Sequence, residues 1–218
     1  MPTNRFSRRS FMNCGLTAAA SLSLFPETAT AHRPAPDESL LFIGPLKGYS
    51  PQIGTLVSML NYNRDTIVRS VKNLTMAQLD FLFDANANTI GSLLLHLAAV
   101  EKFYQVNTFE GRQEFNEAEK KEWNAAMELG DAGRKEIKGH ELPFYLDKLA
   151  SVRQKTLAEL KTKDDAWLLA VDPVWSKESK MSINTYWKWF HVCEHESNHR
   201  GQISWLKSRL PGGKPAKD

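Results

Sequence analysis

Cysteine is nearly absent: Cys14 and Cys193 are the only two in the chain. Cys14 falls in a stretch that reads as a removable export signal, so the mature chain is expected to keep one thiol and no internal disulfide. Cys14 is not a lipidation site. Phe11-Met12-Asn13 is a poor lipobox, and it precedes the apolar segment it should follow. An excess of charge of one sign is also lacking. The chain carries 28 Lys+Arg against 25 Asp+Glu, and without Arg5, Arg8, Arg9 and Glu27 the balance is 25 to 24. That near-neutrality gives no ground for a nucleic-acid-binding surface. The apolar run Gly15–Phe25 is too short to span a bilayer, and no other run is long or apolar enough. No segment shows convincing strand alternation, and no internal repeat is present.

The first 31 residues are ordered as an export signal. Ser7-Arg8-Arg9-Ser10-Phe11-Met12 resembles the twin-arginine motif, Gly15–Phe25 follows as a mildly apolar core, and Ala29-Thr30-Ala31 supplies an A-x-A cleavage site. Export by the twin-arginine route to the periplasm or the exterior is the expectation, with His32 as the mature N-terminus.

Four long helices are expected after a flexible, Pro- and Gly-rich lead-in over residues 32–52. Apolar residues recur at helical spacing over Ile53–Leu74, with Arg64, Arg69 and Lys72 between them. Thr75 and Gln78 read as a capping box for a short helical turn. Thr89 caps a nearly all-apolar helix over Ile90–Thr108. Glu117–Met127 reads as a short, highly charged surface helix. Pro143 suits the first turn of a third long helix, Leu142–Leu160. Lys161–Lys180 is a connection with short turns, and Ser182 is placed to cap a fourth helix, Ile183–Leu210. Pro211-Gly212-Gly213 stops that helix before a disordered tail over 211–218. The fold class is therefore all-α: one four-helix bundle over residues 53–210, with long connections after helices two and three.

Three of the six histidines fall within nine residues, in H-V-C-E-H-E-S-N-H-R-G-Q-I at His191–Ile203. His195 and His199 are four apart, so on a helix they share one face and can converge on one ion. His191 and His195 have the same spacing, and periodicity alone does not choose between the pairs. All three cannot share an ion, because His191 and His199 are separated by roughly 12 Å of helical rise. A further ligand must come from elsewhere. The best candidate is His96, alone in the apolar run Ile90–Val100, where an unsatisfied imidazole is costly.

T-I-G-S-L-L-L-H-L-A-A-V-E at Thr89–Glu101 and H-E-S-N-H-R-G-Q-I at His195–Ile203 resemble the motifs of the DinB/YfiT-like superfamily of metalloenzymes, and N-Y-N-R at Asn61–Arg64 is similar more weakly. The resemblance spans roughly residues 53–210. It implies a divalent metal, zinc or nickel, held by His96, His195 and His199. It also implies either a low-molecular-weight thiol transferase or an enzyme of unassigned reaction. Three imidazoles leave a tetrahedral ion one open position, for a water in hydrolysis or for a thiol in transfer. The rival expectation is a non-catalytic metal- or small-ligand-binding protein of the envelope.

Around that site, Glu194 is a candidate base and Gln202 a candidate for orienting a ligand or water. Glu196 and Arg200 read as a surface ion pair, Glu101 as pointing away from the ion, Gly201 as a close-packing position, and Cys193 as core. Trp187, Trp189 and Trp205 are core or pocket wall. The expected partner is a small molecule of unknown identity, with no nucleic acid and no stable membrane insertion after cleavage, in a monomer or homodimer.

Overall fold

The computed structural model describes residues 40–213. The expected export signal over residues 1–31, the first part of the expected lead-in and the end of the expected tail lie outside these. The helices in chain order are α1 (Pro51–Val71), α2 (Met76–Leu79), α3 (Ile90–Phe109), α4 (Glu117–Glu128), α5 (Gly130–Glu136), α6 (Leu142–Leu160), α7 (Asp165–Leu169), α8 (Pro173–Ser179) and α9 (Thr185–Lys207). The described residues form no strand, and one isolated bridge joins Val171 to Asn184. None of their helices is long and apolar enough to cross a membrane. The protein is all-α, with α1, α3, α6 and α9 as the four long helices of a bundle.

Local chemistry accounts for most helix starts. Thr89 Oγ1 accepts the Ser92 N–H at 3.0 Å. The expected Thr75/Gln78 capping box opens α2, and an Asn116/Glu119 box opens α4. Helix α1 has Pro at its first position and no cap of its own. The Asp165 carboxylate of α7 serves instead, accepting from Gln52 N at 3.1 Å and the Ser50 hydroxyl at 2.5 Å. An acidic group at a helix N-terminus also suits the helix dipole.

The fourth long helix is shorter than its apolar spacing suggests. Ile183 and Asn184 are drawn into the bridge with the 170–172 segment: Asp172 N donates to Ile183 O at 2.8 Å, and Thr185 N to Ala170 O at 3.0 Å. The helix therefore starts one bend later, capped by Asn184 Oδ1 on Trp187 N at 2.8 Å rather than by Ser182. It ends at Lys207, where the chain tightens before Pro211. Similarly, α1 ends at Val71 because Asn73 takes a left-handed conformation, φ 68°, which asparagine tolerates. The described part of the lead-in is tied to α1 by Gly44 N donating to Ser58 Oγ at 3.1 Å.

Helix α3 is buried on nearly every side and packs against α6, α9 and α4, as an all-round apolar helix must. Two apolar clusters fill the bundle, one around Ile67, Leu94, Tyr145 and Ile203, the other around Leu56, Leu60, Leu160 and Trp189. Between them lies a charge quartet with one member from each long helix: Arg64, Glu101, Arg153 and Glu196. Arg64 Nη2 meets Glu101 Oε2 at 2.7 Å, and Arg153 Nε meets Glu101 Oε1 at 2.7 Å. Both arginines also reach Glu196 Oε1, Arg153 at 3.0 Å. Each guanidinium also donates through Nη1 to backbone, Arg64 to Leu149 O at 2.6 Å and Arg153 to Leu60 O at 2.8 Å. Two cations and two anions make the cluster neutral, which a buried ionic group requires.

Candidate metal centre

His96 comes from the middle of α3, flanked by Leu93, Leu97 and Val100 of the core. His195 and His199 come from α9, one turn apart. His199 belongs to the buried stripe Val192–Glu196–His199–Ile203, while His195 stands on its edge and is partly exposed. The three rings meet: His195 Nε2 is 3.2 Å from His96 Nε2 and 3.0 Å from His199 Nε2. One donor atom from each of the three lies within 4.8 Å of the others. Nitrogens bound tetrahedrally at about 2.0–2.1 Å stand about 3.3 Å apart, close to the two edges seen.

The outer ring nitrogens fix the protons. His96 Nδ1 donates to the Ala126 carbonyl at 2.7 Å, and His199 Nδ1 to Gln202 Oε1 at 2.9 Å. With Nδ1 protonated, the Nε2 atoms of His96 and His199 carry bare lone pairs. His195 Nε2 faces both and can share a proton with only one of them. A cation common to all three removes that repulsion, so the donor set fits a divalent ion. Burial, the largest influence, pushes the His96 imidazole down to about 4. The Ala126 bond opposes this, and nearby His199 adds to it. His195 is lowered to about 3 by burial and by the neighbouring imidazoles, and His199 is lowered chiefly by burial. The lowering favours the neutral form of all three rings, the form that ligates metal.

His191 stays out of the triad. Its Nδ1 faces the Tyr104 hydroxyl at 3.4 Å, and its ring stands edge-on to His195 with centroids 5.5 Å apart. Glu194 is exposed, 3.9 Å from His191 Nε2. Gln202 holds His199 and also lines a pocket of about 430 Å³ with Asn88, Leu93, Asn198, Trp205 and Leu206. Trp189 is core, Trp187 is exposed, and Trp205 forms pocket wall. Cys193 is buried as expected, and burial pushes its thiol up to about 11.

Three expectations about these residues are corrected. Trp187 is neither core nor pocket wall, since it stands exposed near the start of α9. Glu196 does not pair with Arg200 on the surface. It lies on the inward stripe of α9 and joins the quartet, while Arg200 donates to Thr66 Oγ1 at 3.1 Å. Gly201 does not admit a neighbouring helix, since a Cβ there would meet nothing within 4 Å. Sequence reasoning also missed the buried roles of Arg64 and Arg153. Their signal was a charge at the inward spacing of an amphipathic helix: Arg64 between Leu60 and Ile67, Arg153 between Leu149 and Leu160.

A family model described as Mycothiol-S-transferase matches residues 55–212. Two solved structures share the fold. An uncharacterized protein from Clostridium difficile 630 is 16% identical, with a TM-score of 0.57 over 73% of this chain and 97% of its own. A protein from Streptococcus pneumoniae is 16% identical, with a TM-score of 0.57 over 73% of this chain and 92% of its own. No curated protein matches the chain.

Proposed function

The chain belongs to the mycothiol-S-transferase family, a DinB/YfiT-like group, and from that premise we propose that it is a metal-dependent enzyme transferring a low-molecular-weight thiol. His96, His195 and His199 would hold the ion through Nε2, and zinc or nickel suits three neutral imidazoles. The observation that carries this reading is the convergence of three Nε2 atoms, two of them stripped of protons by Ala126 O and Gln202 Oε1. A divalent cation there supplies Lewis acidity, lowering the pKa of a bound thiol or water.

The chain's own groups supply the rest. Ala126 and Gln202 keep the ligand protons on the outer nitrogens. His195, the most accessible of the three, marks the side from which a substrate reaches the site. The pocket beside Gln202 has amide groups from Asn88 and Asn198 and apolar walls from Leu93, Trp205 and Leu206. It offers a neighbouring seat for an uncharged, partly apolar substrate. Hydrolysis at the same three-histidine centre is the alternative chemistry, and the family match favours thiol transfer over it. The Arg8-Arg9 signal supports export by the twin-arginine route, and fractionation of cells expressing the full chain tests that location.

The function is tested by removing metal with a chelator and restoring zinc or nickel singly. The readout is consumption of a small thiol against an electrophilic acceptor. Metal-dependent consumption is expected, lost in the His199→Ala variant. Equal rates with and without metal, or in that variant, would overturn the proposal.

A further inference from the structure

Gln202 is exposed, yet its side chain is engaged: Oε1 takes the Nδ1 proton of His199 at 2.9 Å, from one turn further along α9. An exposed glutamine contributes little to packing, so what this bond holds is the His199 ring. The imidazole has two tautomers, and only the one protonated at Nδ1 turns a lone pair toward His195 and His96. His96 obtains the same service from a backbone carbonyl, Ala126 O, which no substitution of a side chain removes. For His199 the service depends on one replaceable side chain. The same residue lines the pocket beside the triad, so the acceptor lies where the metal centre and the pocket meet.

We propose that Gln202 is a positioning residue: by accepting the His199 Nδ1–H it orients that ring and sets its tautomer for metal binding. This rests on the three-histidine reading above. Outer hydrogen bonds of this kind change metal affinity by about 10- to 100-fold.

The test uses the full chain with Co(II) alone as probe, followed by its visible absorption and by competition with a chelator. Gln202→Leu and Gln202→Ala are each expected to weaken Co(II) binding about 10- to 100-fold and to alter the visible bands. Gln202→Glu, which keeps an oxygen acceptor, is expected to retain wild-type affinity. The metal-free melting temperatures should coincide, which a packing role would not predict. Wild-type affinity and spectrum in Gln202→Leu and Gln202→Ala, with binding lost in His199→Ala, would overturn the role of Gln202 and leave the metal site standing. Equal weakening in Gln202→Glu would also overturn it. Absence of Co(II) binding by the wild-type chain would overturn the site and this inference together.

Discussion

His195 is the pivot of the triad, because its Nε2 faces both other rings, at 3.2 and 3.0 Å. His96 and His199 are more deeply buried and have their outer nitrogens tied down. Replacing any of the three by Ala is expected to abolish most divalent-metal binding, since two imidazoles on flexible terms hold an ion far less well than three converging ones. His191→Ala is expected to leave the metal content unchanged, because that ring faces Tyr104 instead. Metal content of the purified variants, by elemental analysis after equilibration with zinc, checks this. Loss in His191→Ala with retention in His199→Ala would put the site one turn away. A second residue-scale prediction concerns Gly91. A Cβ there would come 2.7 Å from the Tyr145 hydroxyl oxygen, and Tyr145 is fully buried. Gly91→Ala is expected to cost about 1–3 kcal/mol of stability through overpacking, read as a lower urea midpoint.

The four long helices are locked to one another by the quartet, which has one arm on each. Glu101 is five residues beyond His96 on α3, and Glu196 is adjacent to His195 on α9. The contacts that fix α3 against α9 therefore also fix the level at which the histidines meet. A slip of one turn would move a ligand by about 5.4 Å. Breaking such a buried pair from one side leaves charge without a partner, at a cost of about 3–5 kcal/mol. Arg153→Met is expected to destabilise by that order in urea denaturation, whereas Arg200→Ala, at a half-buried residue bonded to one hydroxyl, should cost only about 1 kcal/mol, the ordinary value for a point mutation. The contrast shows which parts of the fold were legible. Helix positions followed from apolar spacing, and the caps at Thr75 and Thr89 from their own residues. The His195–His199 spacing placed two donors on one face, but the choice of that pair over His191–His195 came from the family motif. The quartet was not legible. A lone Glu196 followed by Arg200 four residues on has the pattern of a surface pair, and only packing shows that position 196 faces inward. The start of α9 was missed for a similar reason. The bridge between Val171 and Asn184 joins residues far apart in sequence, and no local signal announces it.

At the scale of the whole molecule, stability is expected to depend on acid and on metal. Burial would raise the Glu101 carboxyl, but the Arg153 and Arg64 guanidiniums more than offset it and hold the group down at about 2, against an ordinary value of 4.5. A carboxyl depressed on folding stabilises the native state fully above its unfolded pKa, and that contribution is lost as protons bind the folded form. The stability from Glu101 is therefore present above about pH 4.5 and declines between there and about pH 2. Urea midpoints across that range should fall for the native chain and fall less in Glu101→Gln, which has already lost the charge. Metal acts through the other connection between α3 and α9. An ion bound by His96 together with His195 and His199 is held only when the two helices are docked, so it stabilises the native state by mass action. At free metal about a hundredfold above its dissociation constant the gain is about 2.7 kcal/mol. In a domain of this size that corresponds to a melting shift on the order of 5–10 °C. Chelation is expected to lower the melting temperature by that amount, and readdition of zinc or nickel to restore it. In His96→Ala, which removes the only ligand from α3, chelator should leave the melting curve where it was. If native and His96→Ala chains respond alike to chelator, the ion does not join α3 to α9.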